Sequence, residues 1–214
     1  MTANPHLGTE TATAGDPGAA VAAVLMHGRD QDPEYMLDEV VQRVGLDDRV
    51  AYVLPRAADR SWYPGRFHDP IEDTEPWLGW SLQALEAAVD RARGGRSVPR
   101  VALVGFSQGA CIVAEHLARR PEPYGAAAIL TGALFGTAAD RLPVGSLGGL
   151  PMFFSIAQDD DWISLDAVRD TVEAFQRAGA RCELHVYDNQ EHGVNDEEIV
   201  AVHTLLTDLL ERSA

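Results

Sequence analysis

Short apolar runs rich in β-branched residues alternate along this chain with longer stretches of helical period, and that alternation leaves few architectures open. The runs are Val21 to Met26, Arg49 to Leu54, Arg100 to Phe106, Ala126 to Thr131, Met152 to Ile156 and Arg181 to Tyr187. Between them, Pro33 to Val44 sets Leu37, Val41 and Val44 on one helical face, and Glu75 to Arg93 repeats Leu78, Leu82, Leu85 and Val89. Ser107 to Arg119, Leu165 to Ala178 and Asn195 to Arg212 complete the predicted helices. The pattern predicts an α/β fold, a mostly parallel sheet with helices on both faces. A length of 214 residues suits one such domain, and neither a repeat nor a Gly/Ser linker divides the chain. The domain is expected over 19–214, with the polar stretch 1–18 as a flexible amino-terminal segment.

A formal net charge of −16 repels phosphate backbones and anionic lipid, which argues against nucleic acid as a partner. The stretch Met1 to Gly18 has no Lys or Arg, so the charged start of a secretory signal is missing, and the apolar run Ala19 to Met26 is too short to span a bilayer. Cys111 and Cys182 are too few for a disulfide framework and read as buried free thiols of a cytoplasmic protein.

Gly105-Phe106-Ser107-Gln108-Gly109 lies between the run ending at Phe106 and a helical stretch of small residues. This is G-x-S-x-G in strand-turn-helix context, where a serine sits on a sharp, strained turn and glycines two positions either side remove collisions with it. Ser107 is therefore the candidate nucleophile. The turn also brings it to a helix amino terminus, so the Gln108 N–H is a candidate oxyanion donor. The second donor is expected from the loop after an early strand, and the Arg29 N–H, following His27-Gly28, fits that place.

A serine hydroxyl needs a base, usually a histidine steadied by a carboxylate, and in such folds the acid and then the histidine follow the serine. After the run ending at Ile156, three carboxylates compete: Asp159, Asp160 and Asp161. Among the seven histidines, His6 lies in the loose amino terminus, His116 and His203 fall in helices, and His185 falls in a strand. His192 follows the last strand in the loop 188–193, where an imidazole can be aimed, and is the candidate base. His27 is expected to pack or hydrogen-bond locally, and no ligand spacing supports a metal at His27 and His68.

These residues resemble the carboxylesterase/phospholipase family of α/β-hydrolases, which includes acyl-protein thioesterases and small bacterial carboxylesterases, over about Val21 to Leu210. The likeness is carried by His27-Gly28, by Gly105 to Ala110 and by the late carboxylate and histidine loops, while Trp62-Tyr63-Pro64 and Glu75-Pro76-Trp77 are similar to segments of a bacterial branch. The resemblance implies an α/β-hydrolase without a large cap, acting on esters or thioesters with no cofactor and no metal. The family pattern G-x-x-D-x-x-V-P falls on Ala157 to Ser164 and so implies Asp160 as the acid. Departures are Ile156-Ala157 for His-Gly, Ile163-Ser164 for Val-Pro, Glu191 for the glycine before the histidine, and Asp30 for an oxyanion-loop glycine.

The expected chemistry is acyl transfer to water through an acyl-enzyme on Ser107, with turnover falling on acidification because only a neutral imidazole is a base. Trp62, Tyr63, Phe67 and Trp162 are expected to wall the substrate pocket, while Trp77 and Trp80 read equally as helix packing. The expected substrate is a carboxylic ester with a small to medium apolar acyl group. A thioesterase or lysophospholipase, and a cyclase, acyl transferase or binding protein on the same scaffold, remain open alternatives.

Overall fold

In the computed structural model, described over residues 3–46, 48–136, 144–188 and 191–213, the expected runs form one sheet. Its strands are β1 (Ala12–Gly15), β2 (Val21–Met26), β3 (Val50–Leu54), β4 (Val101–Phe106), β5 (Ala126–Leu130), β6 (Pro151–Ala157) and β7 (Arg181–Tyr187). They lie in the order β1-β3-β2-β4-β5-β6-β7, all parallel except β1, which runs antiparallel to β3. Every residue of β2 to β5 is buried, which is why these strands read as unbroken apolar runs instead of alternating ones.

The longer helices are α1 (33–44), α2 (Trp77–Arg93), α3 (Gln108–Arg119), α4 (Leu165–Arg177) and α5 (Asp196–Ser213). Successive side chains of a strand point to opposite faces. Accordingly Ala22, Val24 and Met26 join the core under α2, α3 and α4, whereas Val21, Ala23 and Leu25 join the core under α1 and α5. Side chains begin three of the helices: Asp32 accepts the Tyr35 N–H at 3.1 Å, Ser164 that of Ala167 at 3.3 Å and Asn195 that of Glu198 at 2.8 Å.

Two expectations change. Inside α1 the turn Leu37–Val41 is a π turn, whose extra residue shifts the face. The fully buried set is Met36, Val40, Val41 and Val44, with Leu37 only partly buried. The segment 1–18 is not a loose leader over its described part. Ala12–Gly15 forms edge strand β1 on β3, and His6 is buried at 3% exposure because polar partners in the stretch 56–62 receive its ring.

The chain steps from β2 outward to β3 and then crosses back to β4, so β2 and β4 are neighbours whose onward connections diverge. Their ends adjoin, with Met26 opposite Gly105. Such a switch point leaves a crevice at the carboxyl ends of the strands, where ligands of open α/β sheets bind. No helix among the described residues is long and apolar enough to cross a membrane.

Candidate active site

Ser107 leaves β4 with φ 52° and ψ −118°, a left-handed conformation that a side-chain-bearing residue seldom adopts. Its N–H donates to the Leu130 carbonyl at 2.9 Å. The flanking glycines serve the backbone, not the serine side chain as expected. A Cβ on Gly105 would lie 2.6 Å from the Ala110 backbone, and one on Gly109 would collide with the Met26 carbonyl oxygen. They let α3 fold back on β4 and pass against the end of β2.

The crevice brings Ser107, His192 and Asp160 together. His192 Nε2 lies 2.8 Å from Ser107 Oγ, and His192 Nδ1 lies 2.7 Å from Asp160 Oδ2. A carboxylate at Nδ1 holds the ring proton there and leaves Nε2 to accept from the hydroxyl. The other carboxylate oxygen accepts the Trp162 and Ile163 N–H groups at 2.9 and 2.8 Å, so the Asp160 side chain is spent entirely on positioning and is 2% exposed. Burial pushes the Asp160 carboxyl up, but the His192 hydrogen bond and the two amides outweigh it, and its pKa falls below the ordinary value. Asp159 and Asp161 face outward. His192 follows β7 in the expected loop, of which 189 and 190 lie outside the described residues.

Two main-chain donors border the serine. The Gln108 N–H stands in the first turn of α3, where an amide has no intrahelical acceptor, and the Arg29 N–H has no protein acceptor among the described residues. Beside it Asp30 takes φ 60°, the conformation that explains why a glycine is common there, and its N–H is tied to the Arg60 carbonyl at 2.8 Å. The Gln108 side chain clamps the loop opposite: Oε1 accepts the Trp62 N–H at 2.8 Å and Nε2 donates to the Tyr63 carbonyl at 2.7 Å.

A cavity of about 160 Å³ opens over Ser107, lined by Tyr63, Phe67, Trp162 and Ile163 and rimmed by Arg29, Asp30, Gly65 and Arg66. Of the four predicted wall residues, Tyr63, Phe67 and Trp162 are there and Trp62 is not. Trp62 is wholly buried behind the cleft, its indole N–H donating to the His27 carbonyl at 2.8 Å, because an indole fills core volume once its N–H has a partner. Trp77 and Trp80 pack on α2 edge to face, away from the cleft. Arg66 and Ile163 join the lining beyond the expected wall residues; Ile163 is legible as part of the acid loop, whereas Arg66 sits in an aperiodic stretch without any signal.

His27 is buried and neutral. Its Nδ1–H donates to the Gly28 carbonyl, Nε2 accepts the Ala57 N–H, and burial lowers its pKa to about 4. With both nitrogens engaged it has no lone pair for a metal. His116, His185 and His203 are held by Tyr124, Glu183 and the Val44 carbonyl.

The phospholipase/carboxylesterase family model matches residues 10–210, nearly the whole chain. The chain belongs to the phospholipase/carboxylesterase family. A phospholipase/carboxylesterase of Dyadobacter fermentans superposes with a TM-score of 0.84 at 26% identity, covering 92% of this chain and 96% of that one. Esterase PE8 gives 0.76 at 20% identity, covering 94% and 97%, and SOBER1 of Arabidopsis thaliana gives 0.71 at 17%, covering 89% and 99%; these two speak for the fold. No curated protein matches significantly. Membership of that family makes this α/β-hydrolase fold that of a hydrolase.

Proposed function

We propose that this family member is a serine esterase that cleaves small carboxylic esters through an acyl-enzyme on Ser107. The observation that carries the reading is the unbroken hydrogen-bond chain from Ser107 Oγ through His192 to Asp160. Ser107 attacks the carbonyl as His192 Nε2 takes its proton, and Asp160 stabilises the imidazolium. The Arg29 and Gln108 N–H groups receive the oxyanion, a contribution of ~3 to 4 kcal/mol per donor in comparable sites. His192 then returns the proton to the leaving oxygen, and water repeats the sequence on the acyl-serine.

The two sides of the cleft differ in chemistry. Tyr63 and Phe67 offer an apolar wall in a cavity of about 160 Å³, below the ~300 to 1,000 Å³ of pockets for drug-sized ligands, which favours a short acyl group over a long lipid chain. On the His192 side stands Trp162, 51% exposed, its ring 6.5 Å from the imidazole and backed by the Arg66 guanidinium at 4.9 Å. That indole is a platform for a flat or apolar leaving group.

Turnover of p-nitrophenyl esters from acetate to decanoate by wild type and Ser107→Ala tests the reading. The expected result is a preference for the shortest chains and a loss of roughly 10⁴-fold or more in kcat for the variant. Undiminished turnover by Ser107→Ala would refute it.

A further inference from the structure

Behind the oxyanion loop lies a polar network that the proposed reaction does not use, and it begins at the amino-terminal turn carrying His6. His6 is buried, its ring 5.3 Å from Trp62 and 5.7 Å from Trp77. The Ala58 N–H donates to His6 Nδ1 at 3.0 Å, which leaves the ring proton on Nε2, directed at the Trp62 carbonyl at 3.0 Å. The Ser81 hydroxyl donates to the same carbonyl, and the Thr9 hydroxyl to the Arg56 carbonyl at 2.6 Å. The stretch 56–62 is thus held from behind by residues 6 and 9 and by α2.

That stretch is in turn what grips both oxyanion donors. Trp62 gives its main-chain N–H to the Gln108 side chain and its indole N–H to the His27 carbonyl, two residues before Arg29. The Ala57 N–H fixes the His27 ring, and the Arg60 carbonyl accepts from Asp30, the residue after Arg29. One carbonyl therefore separates His6 from a residue bonded to each side of the hole. We infer that the amino-terminal turn carrying His6 is a positioning element for transition-state binding: through Trp62 it sets the separation and direction of the Arg29 and Gln108 amides. The inference rests on the serine-esterase reading above. His6 touches no substrate, so its effect belongs to the oxyanion, which exists only after attack, and falls on kcat rather than KM.

The experiment compares wild type with His6→Phe, which keeps a ring but removes both hydrogen bonds, and His6→Gln, whose amide can again donate to Trp62. Ser107→Ala serves as the control for the site itself. The readouts are kcat and KM on p-nitrophenyl acetate, active sites titrated by burst, and the Ki of a trifluoromethyl ketone that mimics the tetrahedral adduct. The expected result for His6→Phe is a fall in kcat per titrated site of about ten- to a hundredfold at nearly constant KM. The Ki should rise by the same factor, and His6→Gln should recover part of both. Unchanged kcat per site and Ki in folded His6→Phe, even with fewer active molecules, would overturn the inference and leave a merely structural residue. Should His6→Phe not fold, Ser81→Ala, which removes the other side-chain donor to that carbonyl, carries the test, with a severalfold fall in kcat expected and no change contradicting it. Full activity in Ser107→Ala would refute the esterase reading instead, a separate result.

Discussion

The cleft in front of Ser107 and the packed wall behind it are both built on imidazoles, used in opposite ways. In front, His192 is 27% exposed, bonded to one carboxylate and one hydroxyl, both side chains. Behind, His6 and His27 are buried, each accepting a main-chain N–H at one nitrogen and donating to a main-chain carbonyl from the other. A ring that must gain and lose a proton needs a counter-charge and access to water, whereas a ring that joins two loops needs burial and a permanent neutral state. On the mechanism proposed above, one residue type thus serves chemistry or architecture according to what faces its second nitrogen.

The contrast breaks most sharply at Asp160. Asp160→Asn keeps an oxygen for the Trp162 and Ile163 amides but places an N–H donor against His192 Nδ1, which favours the wrong tautomer. The expected loss in kcat is roughly 10⁴-fold, with a melting temperature close to wild type. A fall in stability with turnover preserved would reverse the roles of the two regions.

A smaller effect sharpens the comparison through pH. Burial lowers His27 and His116 to about 4 from 6.5, and lowers His6 as well. An imidazole with a depressed folded pKa binds its proton first in the unfolded chain, so its stabilisation is complete above 6.5 and is lost as pH falls toward about 4. Asp160 adds a loss in the same direction at lower pH: its folded pKa is depressed, so its contribution is complete above the ordinary carboxylate value of 3.8 and is lost as pH falls through that value and through the lower folded one. Urea unfolding between pH 6.5 and 5 should therefore lose stability by up to ~1.4 kcal/mol per pH unit for each buried ring. A flat stability across that interval would mean that the wall is not held by neutral imidazoles.

Much of this was legible from the residues because the physics acting there is local. Central parallel strands must be apolar on both faces, so β2 was read to the residue and β4 to within one. The serine is marked by its glycines, while the order of acid and base is the one known for α/β-hydrolases and the choice of Asp160 among three carboxylates comes from the family resemblance. Strand β1 was not legible, since Ala12-Thr13-Ala14-Gly15 carries neither β-branched density nor alternation and is held from one side only. Trp62 was misassigned because an aromatic-rich loop reads alike whether its rings line a cleft or fill a core. Only the partner of the indole N–H, the carbonyl of His27 thirty-five positions earlier, decides it. The role of His6 depends likewise on contacts across 52 and 56 positions, which no local pattern encodes.

The most direct test of the central claim is covalent. Wild type treated with a fluorophosphonate and mapped by peptide mass spectrometry should carry one adduct, on Ser107, formed far more slowly in His192→Ala and absent in Ser107→Ala. An adduct on another residue, or none under conditions that label known serine esterases, would contradict the account.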